Sequence, residues 1–300
     1  MRFLSFGRRA KFSSKPVSRR IDELEIVTSR LIRLGFAGDY HAAFHGQGIE
    51  FAQVREYQPG DDIRTIDWNV TARSGIPHVK QFIEERDLTI LVAVDVSGSM
   101  HFGSLDKTKL DLASELTAVL AFSAVQNSDR VGLLLFDDKV RTYVPPRRGR
   151  MHVQTLVRSA LLAGNSGGGE TNFPEAVRFV ERVATKRSVV IVISDFLAPE
   201  IERPLRRISQ RHDVIALSIR DPREQRFPKT GLIWLTDSET GQRRMITAGE
   251  ADIGRRSVAV ERSLVQLMRR SGVDLVRIST SAPYDRTLLK FFQERVMRRR

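Results

Sequence analysis

Apolar residues from Asp87 onward follow two alternating patterns. Continuous apolar runs of strand length, such as Leu88–Val94 and Val189–Ser194, are typical of parallel strands that are covered on both faces. Between such runs, apolar residues recur at helical spacing, as in the stripe from Leu110 to Ala124. Strands that alternate with helices predict an α/β fold with a doubly wound, mostly parallel sheet.

Two pairs of shorter apolar runs depart from this alternation. Val131–Phe136 is followed closely by Val140–Val144, and a turn-forming segment separates Leu232–Leu235 from Arg243–Ile246. Each pair predicts an antiparallel hairpin within or beside the main series of strands.

The chain before Asp87 has a different pattern. Leucines and a valine at helical spacing predict a helix over Ile21–Leu34, which would end at Gly35. After His41 the pattern breaks into short pieces with turn residues, so we expect a small N-terminal extension packed on the α/β domain. The expected division is a basic tail over residues 1–20, the extension over 21–86, the α/β domain over 87–280 and a basic C-terminal helix over 281–300.

Charge is concentrated at the two ends of the 300-residue chain. The formal net charge is +13, of which residues 1–20 hold +7 and residues 286–300 hold +5. A nearly neutral middle argues against a specific nucleic-acid binder. Phe3, Leu4, Phe6 and Phe12 interleave with the N-terminal basic residues, so this end either rests weakly on an anionic membrane surface or is a solvated tail.

Composition excludes several classes of protein. The chain has no cysteine, which excludes disulfide scaffolds, thiolate metal sites and cysteine catalysis. The N-terminus lacks the apolar segment of a secretory signal, and the apolar runs fall short of the ~20 residues that a transmembrane helix needs. The cytoplasm, with possible contact to the inner face of the membrane, is the expected location.

Polar side chains gather where the predicted strands end. The strand Leu88–Val94 is followed by Asp95, Ser97 and Ser99, and the strand at Val189 is followed by Asp195. Thr171 lies in the loop after a glycine-rich segment. Ligands of open α/β sheets bind beyond the carboxyl ends of strands, and hydroxyl and carboxylate oxygens suit Mg²⁺, Mn²⁺ or Ca²⁺.

The set Asp95-x-Ser97-x-Ser99, then Thr171, then Asp195 resembles the metal-ion-dependent adhesion site of von Willebrand factor A domains. The resemblance covers about residues 87–280 and implies a Rossmann-like sheet. It also implies that the three hydroxyls approach a metal ion, while the two aspartates act directly or through water. In that family a carboxylate of the partner protein completes the coordination.

A second set of residues lies before the α/β domain. Gly46 to Phe51 (Gly-Gln-Gly-Ile-Glu-Phe) leads to Arg55 to Asp62 (Arg-Glu-Tyr-Gln-Pro-Gly-Asp-Asp), and Ile63 to Trp68 (Ile-Arg-Thr-Ile-Asp-Trp) leads on to Ala72-Arg73. This is similar to the signature of the bacterial domain-of-unknown-function family 58 (DUF58), in its short members without transmembrane helices. The resemblance implies a MoxR-type AAA+ ATPase as partner and an adaptor role in assembly or remodelling of a client protein.

Arginines alternate with carboxylates over residues 55–73. We expect Arg–carboxylate pairs to lock this segment against the α/β domain, either as a purely structural unit or as a partner-binding surface. The candidate partner-binding residues are Arg55, Arg64, Asp67 and Arg73. Trp68 is expected to be a core anchor, because large aromatic side chains are usually buried.

No catalytic constellation is evident, so the predicted function is a non-enzymatic, metal-dependent protein-binding module. His41 and His45 have the spacing of a zinc-protease helix but lack the glutamate that would act as base. The alternatives are a metal-dependent hydrolase that uses the same ion, or a membrane-surface or nucleic-acid binder that acts through the basic ends.

Overall fold

The structure is a computed structural model that describes residues 4–5, 16–33, 35–44, 49–84, 88–105, 107–165, 168–225, 232–237, 243–247 and 253–299. Its strands are β1 Leu4–Ser5, β2 Ile49–Glu56, β3 His78–Glu84, β4 Thr89–Asp95, β5 Arg130–Phe136, β6 Val140–Arg147, β7 Val189–Ser194, β8 Asp213–Arg220, β9 Leu232–Asp237, β10 Arg243–Thr247 and β11 Asp274–Ser279. Its α-helices are α1 Val17–Arg33, α2 Phe36–Phe44, α3 Trp68–Ser74, α4 Lys109–Gln126, α5 Arg150–Leu162, α6 Phe173–Val183, α7 Glu202–Ser209, α8 Pro222–Gln225, α9 Ile253–Arg270 and α10 Asp285–Arg299.

A six-stranded sheet forms the centre of the molecule, in the order β11-β8-β7-β4-β5-β6. Adjacent strands are parallel except for the edge pair β5–β6, which is antiparallel. The predicted α/β class and mostly parallel sheet are confirmed. Both predicted hairpins are also present. One is β5–β6 at the edge of this sheet, and the other is β9–β10, which forms a small separate sheet with β1.

Alternation along β4 shows why its sequence is a continuous apolar run. Ile90, Val92 and Val94 pack into the core on one face of the sheet, with helices α1, α2, α4, α5 and α10. Leu91 and Ala93 pack into a second core on the other face, with helices α6, α7 and α9. Both faces of the strand are therefore covered, and no position favours a polar residue until Asp95 at the carboxyl end.

The helices of the N-terminal extension are part of the first core. Helix α1, predicted over Ile21–Leu34, runs from Val17 to Arg33, and Gly35 follows with φ +95°, a left-handed conformation that suits glycine. Helix α2 was not predicted. It buries Phe36, Tyr40 and Phe44 in an aromatic cluster with Phe292 of α10.

Some basic side chains near the two ends of the chain are buried or largely buried in ion pairs. Arg295 of the C-terminal helix is only 3% exposed, lies over the ring of Phe44 and forms ion pairs with Asp213 and Asp274 at the start of β8 and β11. At the other end, Arg20 donates to Asp111 at 3.0 Å. Residues 1–3 and 6–15, including Phe3, Phe6 and Phe12, lie outside the described residues, so the membrane-contact prediction for this end remains a prediction.

The DUF58-like segment forms an antiparallel ribbon of β2 and β3, with α3 between the strands. Within residues 54–80 only Val79 is buried. Trp68 is 67% exposed, so the prediction that it anchors a core is wrong. It begins a seven-residue helix whose N-cap is Asp67, and that short helix packs on β3 alone among the main contacts of the described elements.

Arg295 and Arg298 provide a matched pair for testing the internal charge. We expect Arg295→Ala to lower the free energy of unfolding by about 3–5 kcal/mol, because the change leaves two carboxylates without their buried partner. Arg298 is 58% exposed in its side chain and pairs with Asp274 at 3.1 Å, so Arg298→Ala should cost less than about 1 kcal/mol. Urea unfolding of both variants measures the difference, and equal losses would contradict the internal role of Arg295.

Candidate functional site

The five residues predicted to form a metal site meet at the carboxyl edge of the sheet. Asp95 ends β4, Asp195 directly follows β7, and Thr171 precedes helix α6. Ser97 and Ser99 lie at a 3-10 turn over Gly98–His101, with their hydroxyl oxygens 3.2 Å apart. The Thr171 hydroxyl donates to Asp95 Oδ2 at 3.3 Å, and Ser194, the neighbour of Asp195, donates to the same oxygen, so three separate loops contribute to one place.

Asp95 is completely buried, and its carboxylate is held on both oxygens. Oδ1 accepts the backbone N–H of Ser97 at 2.9 Å, and Oδ2 accepts the hydroxyl of Ser194 at 2.7 Å. The Ser194 hydroxyl also accepts the N–H of Phe196. These hydrogen bonds from protein groups therefore fix the orientation of the Asp95 side chain.

Asp195 is 1% exposed, and its carboxylate is bound by a lysine that the sequence analysis missed. Lys109 Nζ lies 2.6 Å from Asp195 Oδ2 and 2.5 Å from Glu224 Oε1, and no part of the lysine side chain is exposed. The other oxygen of Asp195 accepts the N–H of Leu197 at 3.2 Å. Lysine is almost never fully buried unless it is paired, and here the two carboxylates provide that pairing.

Burial and charge act differently on the two aspartates. Burial raises the pKa of Asp95 to about 7, and the negative charge of Asp195 adds to that effect. Burial also opposes the ionisation of Asp195. The charge and hydrogen bond of Lys109 outweigh this and hold the pKa of Asp195 below its usual value. The site therefore contains one firmly ionised carboxylate and one that burial disfavours as an anion.

The loop between β4 and α4 delivers Lys109 to this position. A side chain at Gly103 would place its Cβ 2.4 Å from the carbonyl oxygen of Lys107, so the close chain reversal there requires glycine. The N–H of Lys109 donates to the carbonyl of Phe102, and Thr108 caps the helix in a reciprocal bond with Asp111. Lys109 is consequently the first residue of α4.

Asp221, at the end of β8, anchors the same loop. Its carboxylate accepts the N–H and the hydroxyl of Ser104 at 3.0 and 2.5 Å, and the hydroxyl of Thr280 at 2.8 Å. The N–H of Asp221 in turn donates to Glu224 Oε2 at 3.0 Å. Lys109, Glu224 and Asp221 thus connect the loops that follow β4, β7, β8 and β11.

The donor set fits a hard divalent cation. Three hydroxyls and the Asp95 carboxylate are oxygen donors, and the charge that burial disfavours on Asp95 is one that a bound cation would stabilise. Asp195 already neutralises part of the charge of Lys109, whose ammonium lies on Oδ2, which suits a role through water rather than direct ligation. The described part of the chain has no cluster of three or more histidine, aspartate or glutamate side chains that would hold a metal by itself.

The four predicted partner-binding residues lie on the β2–β3 ribbon. Arg55 forms a bidentate pair with Asp61 at 2.8 and 2.7 Å, which lowers the pKa of Asp61 through the hydrogen bonds from Arg55. Asp67 caps α3 and faces Lys80 at 3.7 Å. These pairs join residues of the ribbon itself, so the prediction that they lock the segment against the α/β domain is wrong. Arg64 and Arg73 are exposed.

Comparison with known proteins gives a family match. The sequence profile described as "Protein of unknown function DUF58" matches residues 53–263. An uncharacterized protein of Mycobacterium tuberculosis is 33% identical over 277 residues, covering 91% of this chain and 87% of that protein. The uncharacterized protein YeaD of Bacillus subtilis is 27% identical over 112 residues, covering 37% of this chain and 26% of YeaD.

Several solved structures align with part of the chain at low sequence identity. BatB of Bacteroides thetaiotaomicron aligns with a TM-score of 0.47 and 16% identity, covering 70% of this chain and 99% of BatB. The von Willebrand A domain of Rpn10 aligns with a TM-score of 0.39 and 13% identity, covering 70% of this chain and 94% of that domain. Among the described residues, no helix combines the length and the apolar character needed to span a bilayer.

The raised pKa of Asp95 gives a test in metal-free protein. Between pH 4 and 7 the folded chain holds a proton that the unfolded chain has released, so this group lowers the free energy of unfolding as the pH rises. In chelator, we expect Asp95→Asn to gain about 2–4 kcal/mol relative to the wild type between pH 4.5 and 7.5. Urea unfolding at each pH measures the free energy of both proteins. A difference between them that does not change with pH would contradict the raised pKa of Asp95.

Proposed function

The chain belongs to the DUF58 family of proteins of unknown function, and from that premise we propose that it is a non-enzymatic, metal-dependent protein-binding module. The ion in this proposal is Mg²⁺, with Mn²⁺ or Ca²⁺ as substitutes. Ser97, Ser99, Thr171 and Asp95 hold it, and Asp195 acts through water. The partner supplies a carboxylate.

One observation carries the proposal: three hydroxyls and two buried carboxylates from three loops converge at the sheet edge. Burial alone does not distinguish such a site, because Asp221 after β8 is also fully buried, but there the hydrogen bonds from Ser104 and Thr280 outweigh burial and lower the pKa. Asp95 is completely buried and its ionised form is disfavoured, so the fold maintains a strained group there. Strain of this kind is typical of functional sites.

Neutral donors explain why such a site binds another protein. Hydroxyl groups and water carry no net charge, and the positive charges of Lys109 and Arg220 offset the negative charges of Asp195 and Glu224. A bound divalent cation supplies the remaining positive charge at an open coordination position. In a partly desolvated position that charge attracts an external carboxylate strongly.

The resemblance to DUF58 proteins supports a MoxR-type AAA+ ATPase as one partner and a client protein as another, in a chaperone-like adaptor role. The ribbon offers a second surface, because Ile63, Trp68 and Ile76 are 66%, 67% and 50% exposed. The three side chains lie within one segment of 14 residues, and we infer that together they offer a partner an apolar surface. Arg64 and Arg73 lie on the same segment.

Thr171 separates the two surfaces experimentally. With the purified MoxR-type ATPase of the source organism, we expect Thr171→Ala to weaken binding about tenfold or more, because it removes a donor to the ion. Binding is measured by biolayer interferometry at constant Mg²⁺. Chelator is unsuitable, since it would also strip the ATPase of its nucleotide-bound Mg²⁺.

Arg73→Ala serves as the control on the ribbon, and the unfolding free energies of both variants should remain within about 1 kcal/mol of the wild type. If Thr171→Ala binds the ATPase normally while Arg73→Ala does not, the ribbon is the interface and metal-bridged recognition of the ATPase is wrong.

A further inference from the structure

Lys109 occupies the place of a counter-ion inside the candidate metal site. Its ammonium group is completely buried and contacts two carboxylates, those of Asp195 and Glu224, at 2.6 and 2.5 Å. The second oxygen of each carboxylate is bonded to a backbone N–H, from Leu197 and Asp221 respectively. The lysine therefore contacts both carboxylates directly, and the charge of Arg220 also acts on Asp195.

The charges within the site determine what a divalent cation would meet. Asp195 and Glu224 carry two negative charges and Lys109 carries one positive charge. Asp95 adds a third negative charge when it is ionised. Without the lysine, an entering ion would meet three negative charges, offset by Arg220 alone among the charges that act on Asp195, and an Asp195 oxygen that is free to ligate it. With the lysine, that oxygen is already bonded, and the attraction for the cation is reduced.

We propose that Lys109 is a resident counter-ion that competes with the divalent cation for Asp195 and so sets the metal affinity of the site. This inference rests on the proposed metal-binding function. Lys109 acts as a positioning residue: it keeps Asp195 out of direct ligation and holds the surrounding loops together when no ion is bound. The cation is then held weakly enough by the protein to accept a partner's carboxylate.

The two partners of the ion pair predict opposite effects. Lys109→Met fills a similar volume without the charge, so Asp195 becomes available and the negative charge of the site increases. Glu224→Gln removes a negative charge beside the lysine, which leaves Lys109 bonded more strongly to Asp195. A merely structural lysine predicts the opposite sign for Lys109→Met, because its loss would disorder Asp195 and weaken metal binding.

Isothermal titration calorimetry of the full chain with MnCl₂ and with MgCl₂ tests this inference. We expect Lys109→Met to bind either ion about tenfold tighter or more than the wild type, and Glu224→Gln to bind several-fold more weakly. Lys107→Met is the matched control, because Lys107 lies two residues earlier, is 49% exposed in its side chain and pairs with Glu115. It should bind as the wild type does, and Asp95→Ala should not bind.

The outcomes separate the inference from the function on which it rests. Unchanged or weaker binding by Lys109→Met, with binding by the wild type and none by Asp95→Ala, overturns the counter-ion role and leaves the metal site intact. No binding by the wild type overturns both. If Lys109→Met does not fold, Lys109→Gln replaces it, because its amide keeps a hydrogen bond to the carboxylates without the charge: tighter binding supports the inference, and unchanged or weaker binding contradicts it.

Discussion

Lys109, Asp195 and Glu224 form ion pairs in the interior, at the edge where β7 and β8 end. Removing charges from water costs several kcal/mol for each ion, and the cost is offset only when every charge has partners in good geometry. The loops of this edge satisfy that condition in turn. Gly103 lets the chain reverse, Thr108 starts the helix that carries the lysine, and Asp221 holds the loop through Ser104.

The same constraint explains why Asp95 differs from Asp195. Both are buried on neighbouring strands, but only Asp195 contacts the lysine, so Asp95 relies on hydroxyl and N–H donors. Its carboxylate is therefore the group that a cation would stabilise most. The metal-binding proposal and the counter-ion inference both follow from this unequal division of charge at one sheet edge.

The local part of this arrangement could be predicted from the sequence, and the contacts between distant residues could not. Asp95, Ser97 and Ser99 follow a recognisable buried strand, so their meeting with Asp195 could be predicted from the shared carboxyl edge of the sheet and from the resemblance to von Willebrand A domains. Lys109 could not be assigned, because its partners lie 86 and 115 residues away and a lysine at the start of a helix is ordinarily exposed. The prediction that Trp68 is buried was wrong for a different reason. Its size favours burial, but the ribbon that carries it has little core of its own. Helix α2 was missed because its apolar residues meet Phe292, which lies far along the chain.

The central claim is that the hydroxyls of Ser97, Ser99 and Thr171 surround a divalent cation while Lys109 remains on Asp195. Crystals of the full chain grown with MnCl₂, with diffraction measured at the manganese absorption edge, test it directly. The account predicts one anomalous peak at about 2.2 Å from these hydroxyls, with the Lys109–Asp195 contact preserved. Absence of a peak there, or manganese bound directly to Asp195 with Lys109 displaced, would contradict it.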